Sequence, residues 1–229
     1  VLIPTAIEQV TGTSADDPIA DMFGAPDTAF EFDTSSLTGL TAVGSSPDVE
    51  AAHTIFADHY YVERRTNSGG LMGRYAAVSA PFTAICKVTD YNGYSEFNKV
   101  AMFIGASGVV NNDVFGVQSW ERGLFVHRWN ASTGFSSDVF SEGTSPIRKL
   151  QAIKPPFYLA IKAASTTDVD YLFSHNGRVW SPWLRTRNPS ITIALVGIAV
   201  ACETSGIEVG AAFDFFRIWN SAKTFLGAA

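Results

Sequence analysis

Phe157-Tyr-Leu-Ala-Ile-Lys162, Val169-Asp-Tyr-Leu-Phe-Ser174 and His175-Asn-Gly-Arg-Val-Trp180 follow one another in the last third of the chain. A second tract runs from Ile191 to Val200, breaks at Glu203-Thr-Ser-Gly206, and ends in Ala212-Phe-Asp-Phe-Phe-Arg-Ile-Trp219. Aromatic and aliphatic residues alternate between Gly, Asn and Ser breaks, which is the pattern of antiparallel strands joined by tight turns. A strand with one wet face alternates, and a strand buried on both faces reads as a continuous apolar run.

The same pattern extends upstream. Short alternating tracts lie at 29–33 and 60–64, and further strands are expected at 71–75, 82–89, 99–104, 114–119 and 124–129. The 99–104 tract is continuously apolar after Lys99, so it belongs at the centre of a sheet. Asn67-Ser-Gly-Gly70 reads as a turn, Asp90-Tyr-Asn-Gly-Tyr94 as a turn or longer loop, and residues 130–154 as mostly polar. About a dozen strands with almost no helix predict an all-β antiparallel sandwich over 28–229. No fixed repeat is visible, which excludes propellers and solenoids. Residues 1–27 differ: Pro4, Asp16-Asp-Pro18, Gly24 and Pro26 punctuate them. They read as an arm or docking segment. A short helix is expected over 18–23, because an Asp can cap it and Pro suits its first turn. Neighbours in an assembly are expected to bury the arm's Val1, Leu2, Ile3, Met22 and Phe23.

Composition narrows the classes. Of 229 residues, 46% are hydrophobic and 17% charged, which is enough for a large core. No run of 18 apolar residues occurs, so no membrane partner is expected. The net charge of −6 argues against nucleic acid, which needs a basic field. The basic clusters at 63–65 and 183–187 read as solvated strand ends. Cys86 and Cys202 lie in apolar tracts, either as buried thiols or as a bridged pair. The first residues lack a basic n-region and an Ala-x-Ala site, so no secretory signal is expected there.

Several of these tracts resemble the concanavalin A-like (laminin G-like) jelly-roll modules. Ser174 to Trp180 matches the group's "S-x-D/N-G-x-x-W", Gly197 to Val200 its "G-(I/L)-x-V", and Phe213 to Ile218 its "F-D-x-F-R-(I/V)". Leu71 to Arg74, Pro81 to Val88 and Val100 to Ile104 match earlier strands in the same order, so the likeness spans 59–219. One departure is Met102 after Ala101, where the group has Gly, which touches packing more than fold. Such modules accompany secreted glycoside hydrolases and recur in bacteriophage tail and virion proteins. The resemblance therefore implies two functions. The first is a non-catalytic structural or adhesive module of a phage particle (tail, fibre or head decoration), located in the virion. It would self-associate, dock to other virion proteins and touch host glycan. The alternative is an extracellular carbohydrate-binding accessory domain of a glycoside hydrolase.

Candidate chemistry follows from residue types. Retaining and inverting glycosidases need a carboxylate pair. Glu31-Phe-Asp33 and Asp168-Val-Asp170 each lack the further carboxylate of a Glu-x-Asp-x-Glu strand, so no enzyme and no catalytic residue is expected. The four histidines form no His-x-His or His-x-x-x-His pair, and no transition-metal site follows. Sugars pack on flat rings and bond to fixed donors and acceptors. The candidate carbohydrate-binding residues are Trp120, Trp129, His127, Tyr91, Tyr94 and Trp183. Phe125, His127 and Trp129 share one strand face, and Leu124, Val126 and Arg128 the other. Trp180 reads as a clamp packed on its own hairpin. No cofactor is expected. The resemblance and oxygen-ligand chemistry leave Asp90 and Asp214 as candidate ligands of a structural calcium. For Asp214 the other reading is an ion pair pinning the last strand.

Overall fold

The computed structural model describes residues 17–32, 37–44, 53–56, 59–64, 70–93, 98–118, 123–131, 134–141, 153–202 and 209–227. Among these residues one helix, α1 (Pro18–Phe23), precedes fifteen strands: β1 (Thr28–Glu31), β2 (Thr41–Val43), β3 (His53–Phe56), β4 (His59–Arg64), β5 (Gly70–Ala77), β6 (Phe82–Gly93), β7 (Asn98–Ala106), β8 (Val110–Gln118), β9 (Gly123–Ala131), β10 (Gly134–Ser141), β11 (Phe157–Ser165), β12 (Asp168–Ser174), β13 (Ser181–Arg187), β14 (Leu195–Cys202) and β15 (Val209–Trp219). They form two antiparallel sheets. The eight-stranded sheet runs β13-β12-β11-β6-β15-β4-β3, with β1 added to β15. The seven-stranded sheet runs β10-β9-β8-β7-β14-β5-β2. The expected all-β sandwich is what forms.

Strand alternation sends three sets of apolar side chains into three layers. Met102, Phe115, Val126, Phe157, Leu159, Ile198, Phe213 and Phe216 fill the space between the sheets. Met102, the departure noted above, packs there. The outer face of the seven-stranded sheet carries Leu71, Phe103, Val114, Phe125, Trp129 and Leu195. The outer face of the eight-stranded sheet carries Ile85, Tyr158, Leu172, Phe215 and Trp219 against Ile19 and Phe23 of α1 and Phe225. Strand β7, fourth in its sheet, is buried on both faces, which explains its unbroken apolar reading.

Helix α1 starts and stops as its residues dictate. Asp17 Oδ1 accepts from the Ile19 and Ala20 N–H groups, and Pro18 occupies the first turn. Ile19 and Phe23 are buried by the chain's own sheet, and Met22 packs beside them. Neighbours are therefore not what covers Met22 and Phe23. Val1, Leu2 and Ile3 lie outside the described residues.

The Ser174–Trp180 motif is a self-bonded corner on which α1 sits. Ser174 Oγ accepts from the Asn176 and Gly177 N–H groups and donates to the Val179 carbonyl. Asn176 Oδ1 accepts from the Arg178 and Val179 N–H groups. Gly177 has φ +71°, and a Cβ there would lie 2.9 Å from Pro18 and 3.2 Å from Tyr158. Glycine is demanded twice, by backbone conformation and by the docked helix. Trp180 is fully buried, donates Nε1–H to the Gly177 carbonyl at 3.1 Å, and packs edge-on to Phe225. It is the hairpin clamp the sequence implied.

The Phe213-Asp-Phe-Phe216 run is resolved by a bulge. The register of β15 on β6 shifts between Phe213 and Phe215, so Phe213 and Phe216 both enter the inter-sheet core while Phe215 faces out. Asp214 sits at that shift and pairs with Lys87 at 2.6 Å.

Four expectations are corrected here. Residues 90–93 continue β6 rather than turning, because they pair with β15 through Ala212↔Asp90 and Gly210↔Asn92. The polar stretch after Asn130 contains β10, an edge strand whose register against β9 shifts repeatedly. Strand β14 begins only at Leu195, and residues 192–194 lie outside any strand. Arg187 is not a solvated strand end. It lies 3.4 Å from Asp113 Oδ2, whose side chain is fully buried. Arg128 Nε donates to Asp113 Oδ1 at 2.6 Å, its Nη2 donates to the Pro189 carbonyl, and Tyr171 donates its hydroxyl to Asp113 Oδ2. This cluster ties β8 and β9 of one sheet to β12 and β13 of the other. Burial first, and the Asp113 charge second, hold the Tyr171 pKa well above the usual phenol range.

Cys86 is a buried free thiol in the inter-sheet core, its pKa raised by burial. The side chain of Cys202 lies outside what is described. Among the described residues, no helix is long and apolar enough to cross a membrane.

Candidate functional site

An open cleft lies at one end of the sandwich, where β1 and the end of β15 meet the end of β5. Its volume is about 580 Å³, within the range of pockets that hold small ligands. Phe30, Ala76, Val78 and Ile218 supply apolar surface; Thr28, Glu31, Thr38 and Asn220 supply polar groups. Strand β1 positions two of these on opposite faces. Phe30 is half-buried and stacks on Phe216 with ring centroids 5.9 Å apart. The turn at residues 37–40, closed by the Leu40 N–H on the Leu37 carbonyl, brings Gly39 against the Phe30 ring. A Cβ on Gly39 would stand 3.3 Å from that ring, and its φ of +88° suits glycine.

Glu31 is the only charged residue among the described residues lining the cleft, and its side chain lies on the outer face with Phe215, opposite Phe30. Its two oxygens are gripped by Arg217, Nε to Oε1 and Nη2 to Oε2. Arg217 also donates Nη1–H to Asp17 Oδ2 and lies over the Phe215 ring at 4.0 Å. The chain Asp17–Arg217–Glu31 therefore links the cap of α1 to the cleft wall. Burial pushes the Asp17 pKa upward, but the Ala20 N–H and the Arg217 guanidinium outweigh it, and the net shift is downward. A lowered carboxylate pKa adds stability that is complete above the ordinary aspartate value. That stability is lost as pH falls through the lowered one. We expect α1 to loosen as pH falls below the ordinary aspartate value of 3.8, seen as faster amide exchange at Ala20. Asp17→Asn is expected to remove the Asp17 share of that pH dependence.

The aromatic and polar residues singled out from sequence do not converge on this cleft. Trp129 is fully buried and His127 is 2% exposed. The two alternate with the inward-facing Val126 and Arg128 as expected, and the His127 ring lies 4.4 Å from that of Phe125. Lys99, also fully buried, is 5.4 Å from the Phe125 ring centroid. Trp183 is 7% exposed and belongs to the inter-sheet core. None of the three offers an open ring or imidazole to a ligand, because β9 is buried on both faces and Trp183 faces the inter-sheet core. Tyr91 is half-buried against the core and donates its hydroxyl to the Asn98 carbonyl at 2.7 Å. Trp120 and Tyr94 lie outside the described residues. Of the calcium candidates, Asp214 pairs with Lys87, and Asp90 accepts from the Tyr91 N–H. No cluster of three metal-type side chains occurs among the described residues. Asp170 pairs with Lys162 at 3.2 Å, and Asp33 is outside the described residues. Phe30 and Asn220 were missed. Phe30 read as ordinary strand alternation, and nothing local marks Asn220.

No protein-family model matches the sequence. No curated protein matches it either. Solved structures do share the fold. The GH43 protein BlXynB from Bacillus licheniformis aligns with TM-score 0.65 at 15% identity, over 85% of this chain and 39% of that one. A β-1,3-glucanase from Mycobacterium marinum aligns with TM-score 0.52 at 10% identity, over 86% of this chain and all of its own. A structure described with endo-acting O-glycanases of human gut bacteria aligns with TM-score 0.59 at 6% identity, again over 86% and 100%. The fold is the concanavalin A-like jelly roll. The chain spans about two-fifths of the GH43 structures it matches. The expectation that it is not an enzyme is corrected by these neighbours, which are described as a GH43 protein, a glucanase and O-glycanases. They lend the bacteriophage expectation no support.

Proposed function

We propose that this jelly roll is a carbohydrate-recognition unit of the kind joined to glycoside hydrolases, and that the saccharide enters the cleft beside β1. The observation that carries the reading is the cleft's chemistry. Phe30 offers an apolar ring to sugar C–H groups, while Thr28, Thr38 and Asn220 offer polar groups to hydroxyls. The fold it shares with a glucanase and O-glycanases points the same way. So does its match to two-fifths of a GH43 chain, which suits one unit of a larger hydrolase.

A glycan array probed with the intact chain, followed by calorimetry on the best binder, tests this. We expect Phe30→Ala to weaken binding by about tenfold or more, the scale of one lost aromatic contact. Because Phe30 also supports Phe216, Thr28→Leu provides a second test: Thr28 is exposed and shares its face with Ile218, so the larger side chain narrows the cleft without deleting a core contact. It should weaken binding while leaving the melting temperature unchanged. Binding that ignores both substitutions sinks the reading. Release of reducing ends from the bound polysaccharide, assayed in parallel, decides whether the unit also turns it over.

A further inference from the structure

We infer that Arg128 and Arg187 form a second binding site, apart from the cleft, for the carboxylate or sulfate group of an acidic glycan; the glycan rests on the reading above, the oxyanion site does not. The two arginines come from different sheets, on β9 and β13, and meet at Asp113 of β8. Two cations converge on one carboxylate, so these three residues carry a net positive charge within a chain whose own net charge is −6. Asp113 is fully buried and both its oxygens are engaged, Oδ1 by Arg128 Nε and Oδ2 by the Tyr171 hydroxyl with Arg187 Nε beside it. Asp170, next to Tyr171 on β12, points to the outer face and pairs with Lys162.

The cluster has donors left over. A guanidinium carries five N–H groups. Arg128 spends one on Asp113 and one, from Nη2, on the Pro189 carbonyl. Arg187 brings its Nε to 3.4 Å from Asp113, and that buried Nε completes no hydrogen bond. Among the described residues nothing accepts from the Arg187 Nη groups. Both side chains are partly exposed, and the buried polar atoms without a partner include none of their Nη nitrogens, so the unspent donors face solvent. Two guanidinium forks held beside each other suit the paired oxygens of a carboxylate or sulfate. The bonds to Asp113 and Pro189 orient Arg128 in advance, which lowers the ordering cost of binding. The turn after β13 borders the site. Asn188 and Ser190 are exposed on either side of the buried Pro189, and Asn188 Oδ1 accepts the Ser190 N–H at 2.8 Å. In the seven-stranded sheet β8 stands three places from β5, which lines the cleft. At the usual strand spacing that is about 14 Å.

The test titrates the intact chain at low salt with sodium glucuronate, sodium sulfate, glucose and, as the ionic-strength control, sodium chloride. The Nε–H resonances of Arg128 and Arg187 are followed by NMR, and melting curves confirm folding. Glucuronate and sulfate are expected to shift both resonances saturably, and glucose and chloride to leave them in place. The tighter of the two anions names the substituent. Arg187→Gln should weaken anion binding by about tenfold or more, the usual scale for removing one member of a close charge pair. Asn188→Asp keeps the acceptor for the Ser190 N–H and adds a negative charge beside the arginines. It should weaken both anions at an unchanged melting temperature. A merely structural role for Arg187 would lower the melting temperature of Arg187→Gln and leave the parent blind to the anions. Resonances that answer the anions no more than chloride, or anion binding untouched by both substitutions, overturn the inference. A glucuronate-bearing oligosaccharide is expected to bind more tightly than glucuronate itself, and equal affinity would remove the glycan while leaving the oxyanion site. Phe30→Ala should not alter anion binding, so failure of neutral glycans at the cleft with the anions still bound counts against the cleft alone.

Discussion

Asp113→Ala is expected to destabilise the protein by about 3–5 kcal/mol, the usual consequence of removing one partner from a buried ionic cluster. Asp113 is fully buried at its side chain, and Arg128 and Arg187 remain only 19% and 28% exposed beside it. Without the carboxylate, both guanidinium groups lose their compensating charge, and the Tyr171 hydroxyl loses its acceptor. For a chain of this size the melting temperature should fall by roughly 6–20 °C. Asp113→Asn keeps the volume and one acceptor oxygen but turns a donor toward the other partner, so it should lose the charge and one accepted bond together. Thermal and urea melts of both variants are the measurement. A change under about 1 kcal/mol for alanine, the level of an exposed ion pair, would mean that the cluster is hydrated and does not clasp the sheets.

Trp180→Ala is expected to cost about as much, 3–5 kcal/mol by the large-to-small rule for buried aromatics, but through a different element. Its indole is fully buried among Tyr158, Phe225 and the corner at Gly177. The cavity would open under α1 and the segment that ends at Phe225, both of which rest on this cluster. Amide exchange should therefore accelerate at Ala20 and at Lys223 more than in β7, where every residue from 98 to 105 is buried. Trp180→Phe keeps one ring but loses part of the indole volume as well as the bond to the Gly177 carbonyl, so it should cost about 1 kcal/mol for the bond and a cavity cost smaller than that of alanine. Uniform acceleration across both sheets would show that the corner is part of the global core rather than a local clamp.

These two sites differ in how readable they were. The corner at Ser174–Trp180 is local: five of its hydrogen bonds join residues two to five apart. Side-chain oxygens of Ser and Asn bonding to nearby N–H groups, and a Gly where φ is positive, follow from residue type and order. The helix at Pro18–Phe23 was readable for the same reason. The Asp113 cluster was not, because Arg128 is 15 positions away and Tyr171 is 58. Arg187 looked like a solvated charge because nothing near it in sequence is acidic. Trp129 and His127 looked like ligand platforms because alternation separates two faces without saying which is wet. Here the outer face of the seven-stranded sheet is apolar too.

The chain's own residue order determined the all-β sandwich, the central place of β7, the capped helix and the Trp180 corner. All rest on periodicity or on contacts within a few residues. Only the tertiary structure decided where the cleft lies and which charges meet. Strand pairing joins Thr28 to Ile218 and brings both beside Ala77. It also sets Glu31 against an arginine 186 residues later, itself held by an aspartate 200 residues before it. A period of two fixes which way a side chain points, but not which strand becomes its neighbour. That choice is made by burying all the strands together.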